Sequence, residues 1–246
     1  MATRLDVLRE LKLAPLWVRK VATAYAMPEA AAPAAHAEPA PVPDAPVART
    51  AGDPAARIAH IATLSLAALH ADAATCTACR LCRSRKLAVP GVGDPDADWL
   101  FVGEAPGAEE DLRGEPFVGQ AGKLLDNMLA ALGLSRERQI YITNVLKCRP
   151  PNNRTPEPGE VLACKPYLER QIELIAPRVI VALGKSAAGL LLDDASSIAS
   201  LRGRVHRYRG VPLVVTYHPA YLLRSLPDKA KSWQDLLLAK RTVAAH

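Results

Sequence analysis

The chain has 246 residues, enough for one domain with a full core plus an extension. Half of them are apolar, only 4% are aromatic, and the formal net charge is +6, a balance that suits a polyanionic partner, nucleic acid first. No apolar run approaches the ~20 residues of a membrane span, and Met1 to Lys20 lacks the continuous apolar stretch of a signal peptide, so a cytoplasmic protein without membrane association is expected.

Residues 1–26 carry an amphipathic pattern (Leu5, Leu8, Leu11, Leu13) that predicts a helical extension, either a contact for a protein partner or a passively packed helix. Residues 27–55 are rich in Ala and Pro and nearly devoid of large side chains, which predicts a disordered linker and a folded domain over 56–246. From Ala56 to Ala74, Ile58, Ile61, Leu64, Leu66 and Leu69 recur at helical spacing, predicting one amphipathic helix that leads to the first cysteines. There are five cysteines, Cys76, Cys79, Cys82, Cys148 and Cys164. An odd number without an export signal argues against a disulfide framework, and the Cys-x2-Cys-x2-Cys run argues for metal.

Four short apolar runs follow, Asp98 to Val102, Gln139 to Thr143, Arg178 to Leu183 and Pro212 to Thr216. Helical segments are expected at Gly122 to Leu132, Pro158 to Ile175, Lys185 to Leu192 and Lys231 to Ala244. Strands alternating with helices predict an α/β fold, a mostly parallel four-stranded sheet covered on both faces. Each strand delivers a polar or glycine-containing segment at its C-terminal end: Gly103-Glu104, Asn144, Gly184-Lys185-Ser186 and His218-Pro219. In a parallel sheet those ends share one edge, where α/β proteins bind ligands, so Glu104, Asn144 and His218 should converge. Singly, Asn144 also reads as a helix cap, His218 as a structural histidine, and the carboxylates Glu104, Glu109, Glu110 and Asp111 as an acidic helix N-terminus. Their convergence is what argues for a site.

The motifs GEAPGAEED, GEPFVGQAG, YITNVLKCRPPNNRTP and YHPAYLLR resemble, in order, those of the family 4 uracil-DNA glycosylases, the iron-sulfur members of that superfamily. The likeness runs from about Cys76 to the C-terminus. It implies a three-layer α/β/α fold and monofunctional hydrolysis of the N-glycosidic bond of uracil in DNA during base excision repair. By the same resemblance Phe117 stacks on uracil, Asn144 reads its Watson-Crick edge, His218 sits beside its O2, and Gly103 and Ala105 flank the first-motif acid Glu104. A carboxamide accepts from uracil N3–H while donating to O4, and cytosine presents the opposite pattern. Glu104, or else Glu110, is expected to position the attacking water, and the Gly/Pro loop with His218 to stabilise the departing base. Tyr221, Leu222, Leu223 and Arg224 suit a wedge that fills the vacated base stack. Lys147 and Arg149, with Arg154, Lys185, Arg202 and Arg204, are candidate phosphate contacts. Ala105 is too small to exclude the thymine methyl group, so that exclusion must come from elsewhere.

The resemblance also implies a 4Fe-4S cluster on Cys76, Cys79, Cys148 and Cys164, whereas by spacing alone the pair Cys79 and Cys82 would serve as well as the pair Cys76 and Cys79, and zinc held by four thiolates needs the same ligands. A monomer is expected, because base excision needs no symmetry. Two rival readings remain at this level: a non-catalytic DNA-binding or polymerase-associated module, and a relative that captures uracil covalently. The second depends on an inserted basic, histidine-containing loop, and Lys147 to Pro156 holds no histidine.

Overall fold

The computed structural model describes residues 53–245. The expected N-terminal helix and nearly all of the expected linker lie outside the described residues. Helix α1 (Pro54–Thr63) already begins inside the last residues assigned to the linker. The Asp53 carboxylate accepts from the Ala55 N–H and caps it, with proline in the first helical position. The single helix expected over Ala56 to Ala74 is in fact two, because Leu64 is extended and Ser65 caps a second helix, α2 (Leu66–Thr75), by accepting from the Ala68 N–H. A serine at a turn supplies a cap that apolar periodicity does not register.

The rest of the chain runs β1 (Val92–Gly93), β2 (Trp99–Gly103), α3 (Ala108–Arg113), α4 (Gln120–Leu132), β3 (Ile140–Asn144), α5 (Pro158–Ile175), β4 (Val179–Leu183), α6 (Lys185–Leu192), α7 (Ile198–Leu201), β5 (Val205–Tyr208), β6 (Val211–Thr216), α8 (Pro219–Leu222) and α9 (Asp228–Ala244). The sheet order is β1-β3-β2-β4-β6-β5. The inner four strands are parallel and are the four apolar runs read from the sequence. The two edge strands are antiparallel additions, giving six strands instead of four. Strand β1 is only two residues long, and β5 is a polar, half-exposed VHRY segment. It folds back on β6 through Arg209 and Gly210, both at positive φ (48° and 87°), as a two-residue hairpin turn requires.

Alternation along the strands divides the core. Leu100, Val102, Ile180 and Val215 face one layer, where Leu168 and Ile172 of α5 and Ala188 of α6 close over them. Trp99, Phe101, Ile142 and Val181 face the other, under Leu125 and Leu129 of α4 and Leu236 of α9. This is the three-layer α/β/α arrangement. A smaller apolar cluster of Ile61, Leu69, Leu81, Leu146 and Tyr167 joins α1 and α2 to α5 and encloses Cys148 and Cys164. Among the described residues no helix is long and apolar enough to cross a membrane.

Register sets the functional edge. Gly103 ends β2 directly opposite Asn144 at the end of β3, and past that point Val145 N–H donates to the Gly103 carbonyl (2.9 Å) and Leu146 N–H to the Glu104 carbonyl (3.0 Å). Just beyond, Lys147 turns inward. Its ammonium is almost fully buried and donates to Thr143 Oγ1, the Asn144 carbonyl and Gln171 Oε1 of α5, each at 2.7 Å. A buried ammonium is tolerated only when its donors are satisfied. Lys147→Ala should leave three buried acceptors without their donor and lower folding stability by about 3 kcal/mol, read as a lower urea midpoint at unchanged slope. A midpoint within experimental error of wild type would mean that the ammonium contributes nothing to this edge.

Candidate active site

A cleft of about 550 Å³ opens at the C-terminal edge of the parallel strands, lined by Glu104, Ala105, Glu110, Phe117, Asn144 and His218, with Asn153, Arg154 and Arg224 among the residues of its mouth. Residues up to 120 positions apart thus meet in one concavity, roughly of a size to take a nucleobase with its sugar.

Asn144 forms the floor. Its side chain is buried, and its Oδ1 is one of two buried side-chain polar atoms among the described residues without a hydrogen-bond partner. Gly103 makes this position possible, since a Cβ there would collide with Asn144 Oδ1 and stand 2.7 Å from Phe117 Cζ. Phe117 itself holds a left-handed backbone, φ 54°, rare for an aromatic residue and a sign of strain that the surroundings must enforce. Arg136 enforces it from beyond α4: its guanidinium donates to the carbonyls of Pro116 and Phe117 while its Nε pairs with Asp126 Oδ1 at 2.6 Å. Gly122 is the other requirement, because any Cβ at that site would overlap the Phe117 carbonyl. The Phe117 ring stacks against His218, centroids 5.5 Å apart and planes 29° from parallel.

The Gly/Pro loop is held by Glu110. One carboxylate oxygen accepts from the Val118 (2.9 Å) and Gly119 (3.1 Å) N–H groups at the start of α4, and the other from the Gly107 N–H (3.1 Å) at the start of α3. Glu109, Glu110 and Asp111 do form the first turn of a helix, so the capping reading of those acids holds alongside the cleft. Asp111 is buried and accepts from the Lys86 N–H at 2.9 Å. Glu104 is different: among the described residues its carboxylate makes no hydrogen bond or ion pair, and it faces the cleft.

His218 caps α8, its Nδ1 accepting from the Ala220 N–H at 3.1 Å, which puts the proton of the neutral ring on Nε2. Burial lowers its pKa to about 4, the nearby Glu110 carboxylate opposing the shift and Arg224 adding to it. The ring is therefore a neutral donor near neutral pH.

Two residues expected to touch DNA do not face solvent. Lys147 is consumed by the buried network beneath Asn144, and Leu222 is 1% exposed, packed into the core from α8. Helical geometry turns its neighbours outward instead, Leu223 at 43% and Tyr221 at 39% exposure. Tyr221 donates to Asp228 Oδ2 (2.6 Å) and stacks on Tyr217. Arg224 is exposed at the cleft mouth, and Arg149 donates to Asn153 Oδ1 at 2.8 Å. Arg154 and Arg202 are tied to Glu160 and Asp235 respectively.

All five cysteines line a second, small cavity between the Cys76 to Cys82 segment and α5. Several sulfurs receive donors: Arg85 Nη1 to Cys148 (3.0 Å), Lys147 N–H to Cys164 (3.2 Å) and Arg57 Nη2 to Cys76 (3.7 Å). Cationic and N–H donors on three of the five thiols would offset the charge of a group carried on thiolates.

The three-layer α/β/α fold thus carries, at the C-terminal edge of its parallel strands, a cleft floored by an open carboxamide and walled by an aromatic ring and a neutral histidine. Residues 90–237 match the model of the uracil DNA glycosylase superfamily, and the chain belongs to that superfamily. Within it the chain is similar to type-4 uracil-DNA glycosylases: 50% identical to that of Archaeoglobus fulgidus over 157 residues (61% of this chain, 78% of the relative), 48% to that of Sulfurisphaera tokodaii over 168 residues (65% and 76%), and 50% to that of Thermotoga maritima over 158 residues (63% and 82%).

Titrating the histidines by NMR tests the electrostatics of the cleft. The His218 resonances should move at about pH 4 and show no inflection near the ordinary histidine value of about 6.5. Titration near 6.5 would contradict the neutral donor.

Proposed function

We propose that this protein excises uracil from DNA: the base leaves the stack, enters the cleft, and its N-glycosidic bond is hydrolysed to leave an abasic site. The observation that carries this reading is the orphaned Asn144 Oδ1 on the cleft floor. A buried acceptor without a partner calls for a donor from the ligand. Uracil N3–H supplies it, while the carboxamide N–H donates to O4. Cytosine has no proton on N3 and an amino group at position 4, so it would leave both ends of Asn144 unpaired. Phe117, fixed by Arg136 and Gly122, gives the ring a stacking surface.

During cleavage the C1′–N1 bond breaks with its electrons passing to the base, while a water oxygen bonds to C1′. Glu104, free of other partners and facing the cleft, orients that water, takes up its proton and stabilises the positive charge on the sugar. The His218 Nε2–H donates to uracil O2 and so stabilises the departing anion, a duty for which a neutral, pre-aimed donor suffices. Glu110 has both oxygens committed to backbone N–H groups and holds the loop instead of meeting the water. Arg224, Arg149 and the exposed Leu223 and Tyr221 form the DNA-facing rim, with Leu223 in the wedge role that Leu222 cannot fill.

The thiol cavity suits a 4Fe-4S cluster on Cys76, Cys79, Cys148 and Cys164, the set that the resemblance to the family 4 enzymes implies. When bound, such a group supplies thiolate cross-links between the segment before β1, the turn after β3 and α5. Cys148 lies four residues beyond Asn144, so those cross-links brace the cleft floor as well. The protein works as a monomer in the cytoplasm.

Release of base from a uracil-containing oligonucleotide, scored by alkaline cleavage of the abasic product, tests the proposal. Asn144→Ala and His218→Ala should each lose ~10²-fold or more in single-turnover rate, with thermal unfolding close to wild type. Binding of uracil-containing DNA by the wild-type protein without any release would overturn the reading in favour of a non-catalytic module.

A further inference from the structure

Four thiolates complete a four-iron cluster, and this cavity has five cysteines. Three of them come from separate elements: Cys76 caps the end of α2, Cys148 follows β3, and Cys164 belongs to α5. No neighbour on the same element could take the place of any of these. Cys79 and Cys82 are different, because they share one short 3₁₀ turn, Arg80–Arg83, which Cys79 opens and in which the Cys82 N–H donates to the Cys79 carbonyl at 3.3 Å. Cys79 itself is extended, and both it and Cys82 line the cavity, while Leu81 between them is 1% exposed and packed into the apolar cluster beneath.

We propose that Cys82 is a reserve cluster ligand, interchangeable with Cys79: either thiolate completes the set begun by Cys76, Cys148 and Cys164. The inference rests on the cluster reading above and goes beyond it. Exchange of ligand moves one Fe–S bond from Cys79 to Cys82, with a proton passing from the incoming thiol to the outgoing thiolate, and requires no oxidant or reductant. A chain so equipped keeps its cluster when Cys79 is alkylated or oxidised.

The test compares wild type, Cys79→Ser, Cys82→Ser, the double variant and Cys148→Ser, each reconstituted anaerobically with iron and sulfide. The readouts are iron per chain, visible absorbance, and mass-spectrometric mapping of thiols that iodoacetamide reaches in the native protein. Each single variant on the turn should hold iron within about twofold of wild type, and the double variant and Cys148→Ser should fall at least ~10-fold. In Cys79→Ser, Cys82 should become protected from alkylation relative to its wild-type rate. Circular dichroism identifies any variant that fails to fold, and Cys79→Ala then replaces it. Loss of iron from Cys79→Ser, with Cys82 still alkylated at its wild-type rate, would overturn the proposal. Iron-free or zinc-loaded wild type would instead sink the cluster reading on which it stands.

Discussion

The structure depends on a buried ammonium at the end of its second parallel strand. Lys147 Nζ joins Thr143, the Asn144 carbonyl and Gln171, so that strand β3, helix α5 and the turn leading to Cys148 meet at one charge. Gln171 extends the junction by donating to the Pro90 carbonyl (2.7 Å), which also receives the Thr143 hydroxyl (2.7 Å). The Lys147 N–H reaches across to Cys164. An ammonium removed from water admits few geometries that satisfy all its donors, and that constraint fixes the peptide carrying Asn144. The base-reading floor and the thiol cavity are thus two sides of one short piece of chain.

Opposite that floor, the cleft is held by long-range clamps on loops that would otherwise move. Glu110 gathers three N–H groups from the starts of two helices, and Arg136 gathers two carbonyls around a strained aromatic residue. Both clamps use charged groups on backbone, the stronger kind of hydrogen bond. Their effect is preorganisation: Phe117, the Gly/Pro loop and His218 stand in place before a base arrives, so little binding energy goes into ordering them.

What the sequence made legible, and what it hid, follows from the range of the interactions. The four inner strands are continuous apolar runs because they are buried on both faces, and their polar last residues pointed to a shared edge where Glu104, Asn144, Phe117 and His218 do meet. The edge strands were not legible, since β1 is two residues long and β5 is polar and half exposed. Lys147 and Leu222 read from sequence as DNA-facing yet are buried, for a related reason. A lysine among basic residues reads as surface, and nothing local reveals that Thr143 and Gln171 await it inside. In a short helix after a histidine, which of two leucines turns inward depends on the packing beneath. Arg136 gave no signal at all, because its acceptors are backbone carbonyls some twenty residues earlier.

The central claim is that a rigid, unpartnered carboxamide selects the base that this cleft releases. Single-turnover base release from matched oligonucleotides carrying uracil or cytosine at the same position measures it most directly. The account predicts release of uracil over cytosine by ~10⁴-fold or more, because cytosine would leave buried hydrogen-bonding groups unpaired. Comparable release of both bases, or none of either, would contradict it.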